Sequence, residues 1–179
     1  MMTLPELGAW IGEHHTRDLF RLETLPAYDA ASDGGDFERF LRGEHGPTID
    51  KTGWADTLRT ARAEGRAWRR LRLIHTPMTD YERYACTWGY PDNVRFGEDV
   101  RVLAVPEGDQ THCRVGDFFV VDGRVVRSIY SDAGKLLGAQ VQHGSEADTL
   151  IGVRDLLWAR AQPFTQWWEH AYDGKAQVA

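Results

Sequence analysis

The stretch Phe118-Phe119-Val120-Val121-Asp122-Gly123-Arg124 constrains the fold of this chain more than any other. Four consecutive apolar residues read as a strand buried on both faces, which places it inside a sheet. Asp-Gly then supplies the positive φ that both central positions of a type I′ turn require. The chain must therefore double back into an antiparallel strand over 124–130, and Asp132-Ala133-Gly134 leads to a further strand over 136–141.

Upstream, residues 68–75 alternate with period two: Leu71, Leu73 and His75 share one strand face, and Arg70 and Arg72 the other. Thr76-Pro77 can cap and open a helix, and Thr79-x-x-Glu82 is a capping box three residues later. That helix is expected to end near Gly89, because Pro91 restricts Tyr90 to extended backbone. A strand follows over 99–105.

Nearer the N-terminus, Leu7, Ile11 and His15 mark a short helix, and 20–28 reads as extended until Pro26 stops it. Asp33-Gly34-Gly35-Asp36 is a turn, with Asp36 expected to cap a helix over 37–42 that Gly43 ends. Trp54, Leu58 and Ala61 recur at helical spacing until Gly65. At the other end, Leu150, Val153, Leu157, Ala161, Phe164 and Trp168 step by threes and fours, with Pro163 kinking or restarting the helix.

The pattern predicts a single α+β domain over 1–179. N-terminal helices occupy about 1–65, a mainly antiparallel sheet of about five strands with one helical crossover spans about 66–142, and a long C-terminal helix over about 146–172 packs on the sheet. Whether the 76–98 crossing joins parallel or antiparallel strands stays open, since its length permits either.

With 42% hydrophobic and 27% charged residues, the chain has the composition of an ordinary globule. No apolar run approaches the roughly 20 residues that span a bilayer, and the start lacks the basic flank and apolar stretch of a secretory signal. Cys86 and Cys113 form neither a disulfide framework nor a metal-ligand spacing. The expectation is a cytoplasmic protein with thiols and no membrane contact.

A net charge of −6 argues against direct DNA binding, which needs clustered Lys and Arg. Residues 59–72 are the local exception: six arginines against the single Glu64 give this segment +5, which leaves −11 on the rest. Such polarity suits an anion, an RNA backbone or an acidic partner. The simpler account, and the one expected here, is a solvated helix face running into an exposed strand face.

Several chemistries find little footing. Adjacent His14 and His15 cannot easily share an ion on a helix, and His112-Cys113 has no second half, so no metal is expected. Neither G-x-G-x-x-G, G-x-x-x-x-G-K nor G-x-S-x-G occurs, and no cofactor is expected. Cys86 reads as a packed thiol among aromatics. Acid–base chemistry has one route: if the strands flanking the crossing are antiparallel, His75, Glu98, Asp99 and the Asp122 turn gather at one edge, with Tyr81 or Tyr84 leaning over it. A core-edge histidine with capping acids explains the same residues more simply. Trp158, Phe164, Trp167 and Trp168 form an aromatic cluster, and adjacent Trp167 and Trp168 cannot both face inward, so one is expected half exposed.

Residues 19–28, Ser32-Asp33-Gly34-Gly35-Asp36-Phe37, Thr79-Asp80-Tyr81 with Tyr84, Trp88-Gly89-Tyr90, Gly97-Glu98-Asp99-Val100-Arg101, Asp117-Phe118-Phe119 and Pro163-Phe164-Thr165-Gln166-Trp167-Trp168 carry a resemblance along nearly the whole chain. They resemble an uncharacterised actinobacterial, Streptomyces-type family of domains of unknown function. Its members are often encoded beside helix-turn-helix regulators, which implies by association an accessory role in regulation.

Two readings follow. In the preferred one, the protein is a non-catalytic regulatory or interaction module for a helix-turn-helix regulator, tuned by a small ligand. This reading predicts an exposed aromatic patch at Tyr81, Trp88 and Tyr90 or at Trp167 and Trp168. In the alternative, a small enzyme such as a toxin-like ribonuclease holds a phosphate-bearing substrate with the arginines from Arg59 to Arg72, Arg70 and Arg72 among them, and with Arg95, and moves protons with His75 and Tyr81 or Tyr84. A plain small-ligand-binding protein is a third possibility. An enzyme needs these groups to converge in one concave pocket, whereas an interaction module needs only a surface.

Overall fold

The computed structural model describes residues 1–29, 33–106 and 113–173. His112, of the His112-Cys113 pair, lies outside the described residues. The elements run α1 (Leu4–His14), β1 (Asp18–Glu23), α2 (Asp36–Leu41), α3 (Thr52–Ala63), β2 (Ala67–His75), α4 (Asp80–Tyr84), a π-helical turn (Ala85–Gly89), α5 (Tyr90–Phe96), β3 (Asp99–Val105), β4 (Phe118–Val121), β5 (Arg124–Tyr130), β6 (Leu136–Gln142), α6 (Gly144–Arg160), β7 (Gln162–Pro163) and α7 (Phe164–Asp173).

The sheet is mixed and seven-stranded, in the order β6-β5-β4-β1-β2-β3-β7. This corrects the expected antiparallel sheet of about five strands: β1, β2 and β3 at its centre are parallel, and only β4–β6 and the short β7 pair antiparallel. The meander around Asp122-Gly123 forms as read, with φ of 47° and 83° at the two turn residues. The Asp122 carboxylate accepts from Thr16 and Asp18 backbone N–H groups, tying the hairpin to the start of β1.

The parallel pairing of β2 with β3 sets His75 against Val105 and Arg69 against Asp99, so His75 lies at the opposite end from Asp99. The expected edge cluster of His75, Glu98, Asp99 and Asp122 is therefore not assembled. The crossing from β2 to β3 also differs in detail. Thr79, not Thr76, is the cap: its hydroxyl accepts from the Glu82 N–H at 3.1 Å while the Glu82 carboxylate accepts from the Thr79 N–H at 2.9 Å. Thr79→Ala is expected to lower stability by about 1 kcal/mol, read from the urea midpoint at unchanged slope.

The helix also does not end at Gly89. Tyr90 stays helical (φ −65°, ψ −32°) and donates its N–H to the Ala85 carbonyl, five residues back. A proline inside an α-helix removes a donor and crowds the carbonyl four residues earlier. The wider turn over Ala85–Gly89 places Pro91 instead in the first turn of α5, where its missing N–H costs nothing.

At α2 the capping acid is Asp33, which accepts from the Gly35 and Phe37 N–H groups. Asp36 is fully buried and binds Thr48 and Ile49, pinning the α2–α3 loop. The long C-terminal helix divides into α6 and α7, with Gln162–Pro163 pairing to β3 between them.

The alternation of each central strand feeds two cores. Phe20, Leu22, Leu71, Leu73, Phe118 and Val120 face α6, where Leu150 and Leu157 cover them. On the other face Leu19, Phe119 and Val121 pack with Leu7 of α1, while Ile74, Val100 and Val102 pack with Cys86, Tyr90 and Phe164. Each such side chain, once fully buried, contributes about 1.5–3 kcal/mol. Among the described residues no helix is long and apolar enough to cross a membrane.

Candidate functional site: buried ion pairs beneath an aromatic cleft

The second face of the sheet is not apolar throughout. Period-two geometry puts Arg21 and Glu23 of β1 beside Arg70 and Arg72 of β2, in register as Arg21 with Arg70 and Glu23 with Arg72. Four charged side chains thus stand on adjoining central strands under the helices.

Glu23 organises them. It is 4% exposed; its Oε1 is 3.1 Å from Arg21 Nη2 and also receives Arg70 Nη1, while Oε2 accepts from the Tyr90 hydroxyl at 2.8 Å. Burial alone would raise its pKa, but Arg21, Arg70 and Arg72 with the Tyr90 hydroxyl reverse this and hold it down at about 2. Arg70 reaches Glu98 through Nε at 2.9 Å.

Arg72 is 0% exposed; its Nη2 lies 3.5 Å from Glu82 Oε1, and its guanidinium sits 5.3 Å from the centre of the Tyr28 ring. None of its three nitrogens makes a hydrogen bond among the described residues. Tyr28 in turn donates to Asp117 at 2.6 Å, and Asp117 accepts from the Thr24 N–H and hydroxyl.

Above this floor lies a cleft of about 370 Å³ between the α4–π–α5 segment and the loops flanking α2. Glu23 and Arg70 line its base, Tyr28, Tyr81, Tyr84, Tyr90 and Trp54 its sides, and Asp33 and Asp50 its rim. A second cleft of about 490 Å³ shares Glu23, Tyr28, Arg70 and Tyr81 with it. A third, of about 770 Å³, runs along β5 from Asp117 to Gly134 and is larger than these two, but it lacks this convergence of aromatic rings and charges.

Burial, followed by the charge of Glu23, pushes the Tyr81 phenol up to about 12. Burial likewise raises Tyr28, Tyr84 and Tyr90. All four are neutral hydrogen-bonding phenols at physiological pH.

The sequence-derived candidates are thus distributed unevenly. Arg70, Tyr81, Tyr84 and Tyr90 meet at the cleft. Arg72 lies among them, behind Tyr28 and fully buried, which overturns the expected solvated face for this part of the arginine run. Glu98 joins the floor through Arg70, while Asp99 is exposed on the other side of the sheet, 3.5 Å from Arg101. His75 is not among the cleft-lining residues; its Nδ1 and backbone N–H both engage Glu82 Oε1, at 2.6 and 3.0 Å.

The aromatic patch is also covered rather than displayed. Tyr90 is 5% exposed, and Tyr81, Tyr84 and Trp88 are half-buried against Phe37 and Phe40 of α2, ring centroids 5.4–5.7 Å apart. Trp167 and Trp168 are both half-buried and stacked on each other at 5.9 Å. Arg95 is exposed and paired with Asp92 at 2.9 Å.

Sequence reasoning missed Arg21, Glu23, Tyr28, Glu82 and Asp117 as members of this network. One signal was available: Arg21 and Glu23 alternate with Phe20 and Leu22, which puts both charges on one strand face.

A family profile matches residues 6–169, from α1 into α7 and including every residue of the network. The chain belongs to DUF6879, a family of domains of unknown function. No curated protein and no solved structure matches it. The network and its cleft therefore describe this DUF6879 domain from its own geometry.

Proposed function

We propose that this DUF6879 domain is a non-catalytic interaction module that engages a helix-turn-helix regulator through its acidic surface. One observation carries the choice over the phosphate-handling enzyme: the arginine run is neutralised from within. Five of its six arginines are ion-paired, Arg59 with Asp56, Arg66 with Glu64, Arg69 with Asp18, Arg70 with Glu23 and Glu98, and Arg72 with Glu82. Arginines committed to carboxylates offer little to phosphate, whereas the acidic excess elsewhere on the chain favours a basic partner such as a DNA-binding face. The separation of His75 from the cleft further weakens the enzyme reading.

The test is association of the full chain with a helix-turn-helix regulator encoded beside it, by native mass spectrometry and calorimetry. A defined complex should form and weaken about tenfold or more as ionic strength rises from about 0.05 to about 0.3 M. Turnover of RNA or of a phosphate ester by the purified chain, with no complex at low salt, would replace this reading by the enzyme.

A further inference from the structure

The charges around the 370 Å³ cleft do not cancel evenly. Its two cationic lining residues are spent: Arg70 lies between Glu23 and Glu98, and Lys51 donates to Asp92 and to the Trp88 carbonyl. Asp33 and Asp50, by contrast, make no ion pair among the described residues. Asp33 accepts from the Gly35 and Phe37 N–H groups, and Asp50 from the Thr52 N–H. These neutral donors leave two full negative charges at a mouth walled by Tyr81, Tyr84, Tyr90 and Trp54.

Aromatic rings beside uncompensated carboxylates attract organic cations: the ring quadrupoles and the carboxylates act in the same sense, and the rings accept the apolar stem of the cation. The volume is at the small end of ligand clefts and suits one side chain. We infer that the cleft is the receptor for a lysine or arginine side chain of the basic protein partner, held between the tyrosines with its charge at Asp33 and Asp50. This rests on the interaction-module reading and names the contact through which that module binds.

Two kinds of substitution test it without emptying the core. D33N and D50N remove charge; D50N keeps an oxygen for the Thr52 N–H, and D33N keeps one for either the Gly35 or the Phe37 N–H. Gly89 lines the cleft, and a Cβ there meets nothing within 4 Å, so Gly89→Leu can fill the space from a helical position. The full chain is titrated with N-acetyl-lysine methylamide, N-acetyl-arginine methylamide and, as the uncharged control, N-acetyl-norleucine methylamide. The readout is the NMR signal of the Trp54 indole N–H, which donates to Asn93 beside the cleft.

The cationic probes should bind saturably and the neutral one not; D33N/D50N should weaken them about tenfold and G89L abolish them. Both variants should weaken the regulator complex in parallel. Equal binding of the neutral probe, or no saturable cation binding, overturns the inference. A regulator complex undiminished by G89L also overturns it while leaving the interaction module standing. Absence of any complex with the wild-type chain removes that module and, with it, the partner side chain as occupant, even where the free cations bind.

Discussion

Glu23→Gln is expected to lower the unfolding free energy by about 3–5 kcal/mol, the largest loss from any single substitution outside the apolar core. The substitution preserves size and an acceptor for the Tyr90 hydroxyl, but Arg21 then faces a neutral group in place of its carboxylate and Arg70 keeps Glu98 alone. A buried cation without its partner carries its full desolvation penalty, which exceeds what one hydrogen bond returns. Urea denaturation followed by circular dichroism measures it. A loss below about 1 kcal/mol, typical of exposed ion pairs, would mean that water already screens the network.

The same carboxylate predicts an acid limit. Its folded-state pKa is held near 2, below the ordinary value of 4.5, so the folded state binds its proton less readily than the unfolded chain does. The stabilisation is complete above pH 4.5 and is lost as pH falls from there toward 2. Glu23→Gln should flatten the stability profile across that window.

Arg72→Met carries the second large effect, and here two opposing terms must be weighed. The guanidinium is wholly buried and makes no hydrogen bond among the described residues, so its desolvation is costly, and a methionine of similar length relieves that cost. Against this, Glu82 is also 0% exposed and loses its arginine. Breaking one side of a buried pair usually outweighs the relief, and a loss of about 3 kcal/mol is expected. The double variant Arg72→Met with Glu82→Gln should cost less than the two single losses together, by about 1–3 kcal/mol. Strict additivity would show that the Tyr28 contact, rather than the ion pair, holds Arg72 in place.

Where sequence reading succeeded, the signal was short-range. The Asp122-Gly123 turn, the doubly buried Phe118–Val121 strand and the Thr79–Glu82 cap are decided within a few residues, by φ requirements and by donors that need a nearby acceptor. The split of Arg70 and Arg72 from Leu71 and Leu73 was equally legible, since alternation is a property of the strand itself. What that second face meets was not. Whether it is wet or dry depends on Glu23 arriving from β1, 47 residues away from Arg70, and on Glu98 arriving from beyond the crossing.

The sequence by itself therefore determined the local elements, the α+β class and the positions where charges and aromatics concentrate. Only the tertiary structure decided that β1, β2 and β3 run parallel, because a crossing of that length can return a strand in either direction. That one choice sends His75 away from Asp99, draws three arginines and their carboxylates under the helices, and lets α2 cover the tyrosines. Burial of a charge is worthwhile only where its partner comes with it, and partners distant in sequence are brought together by topology alone.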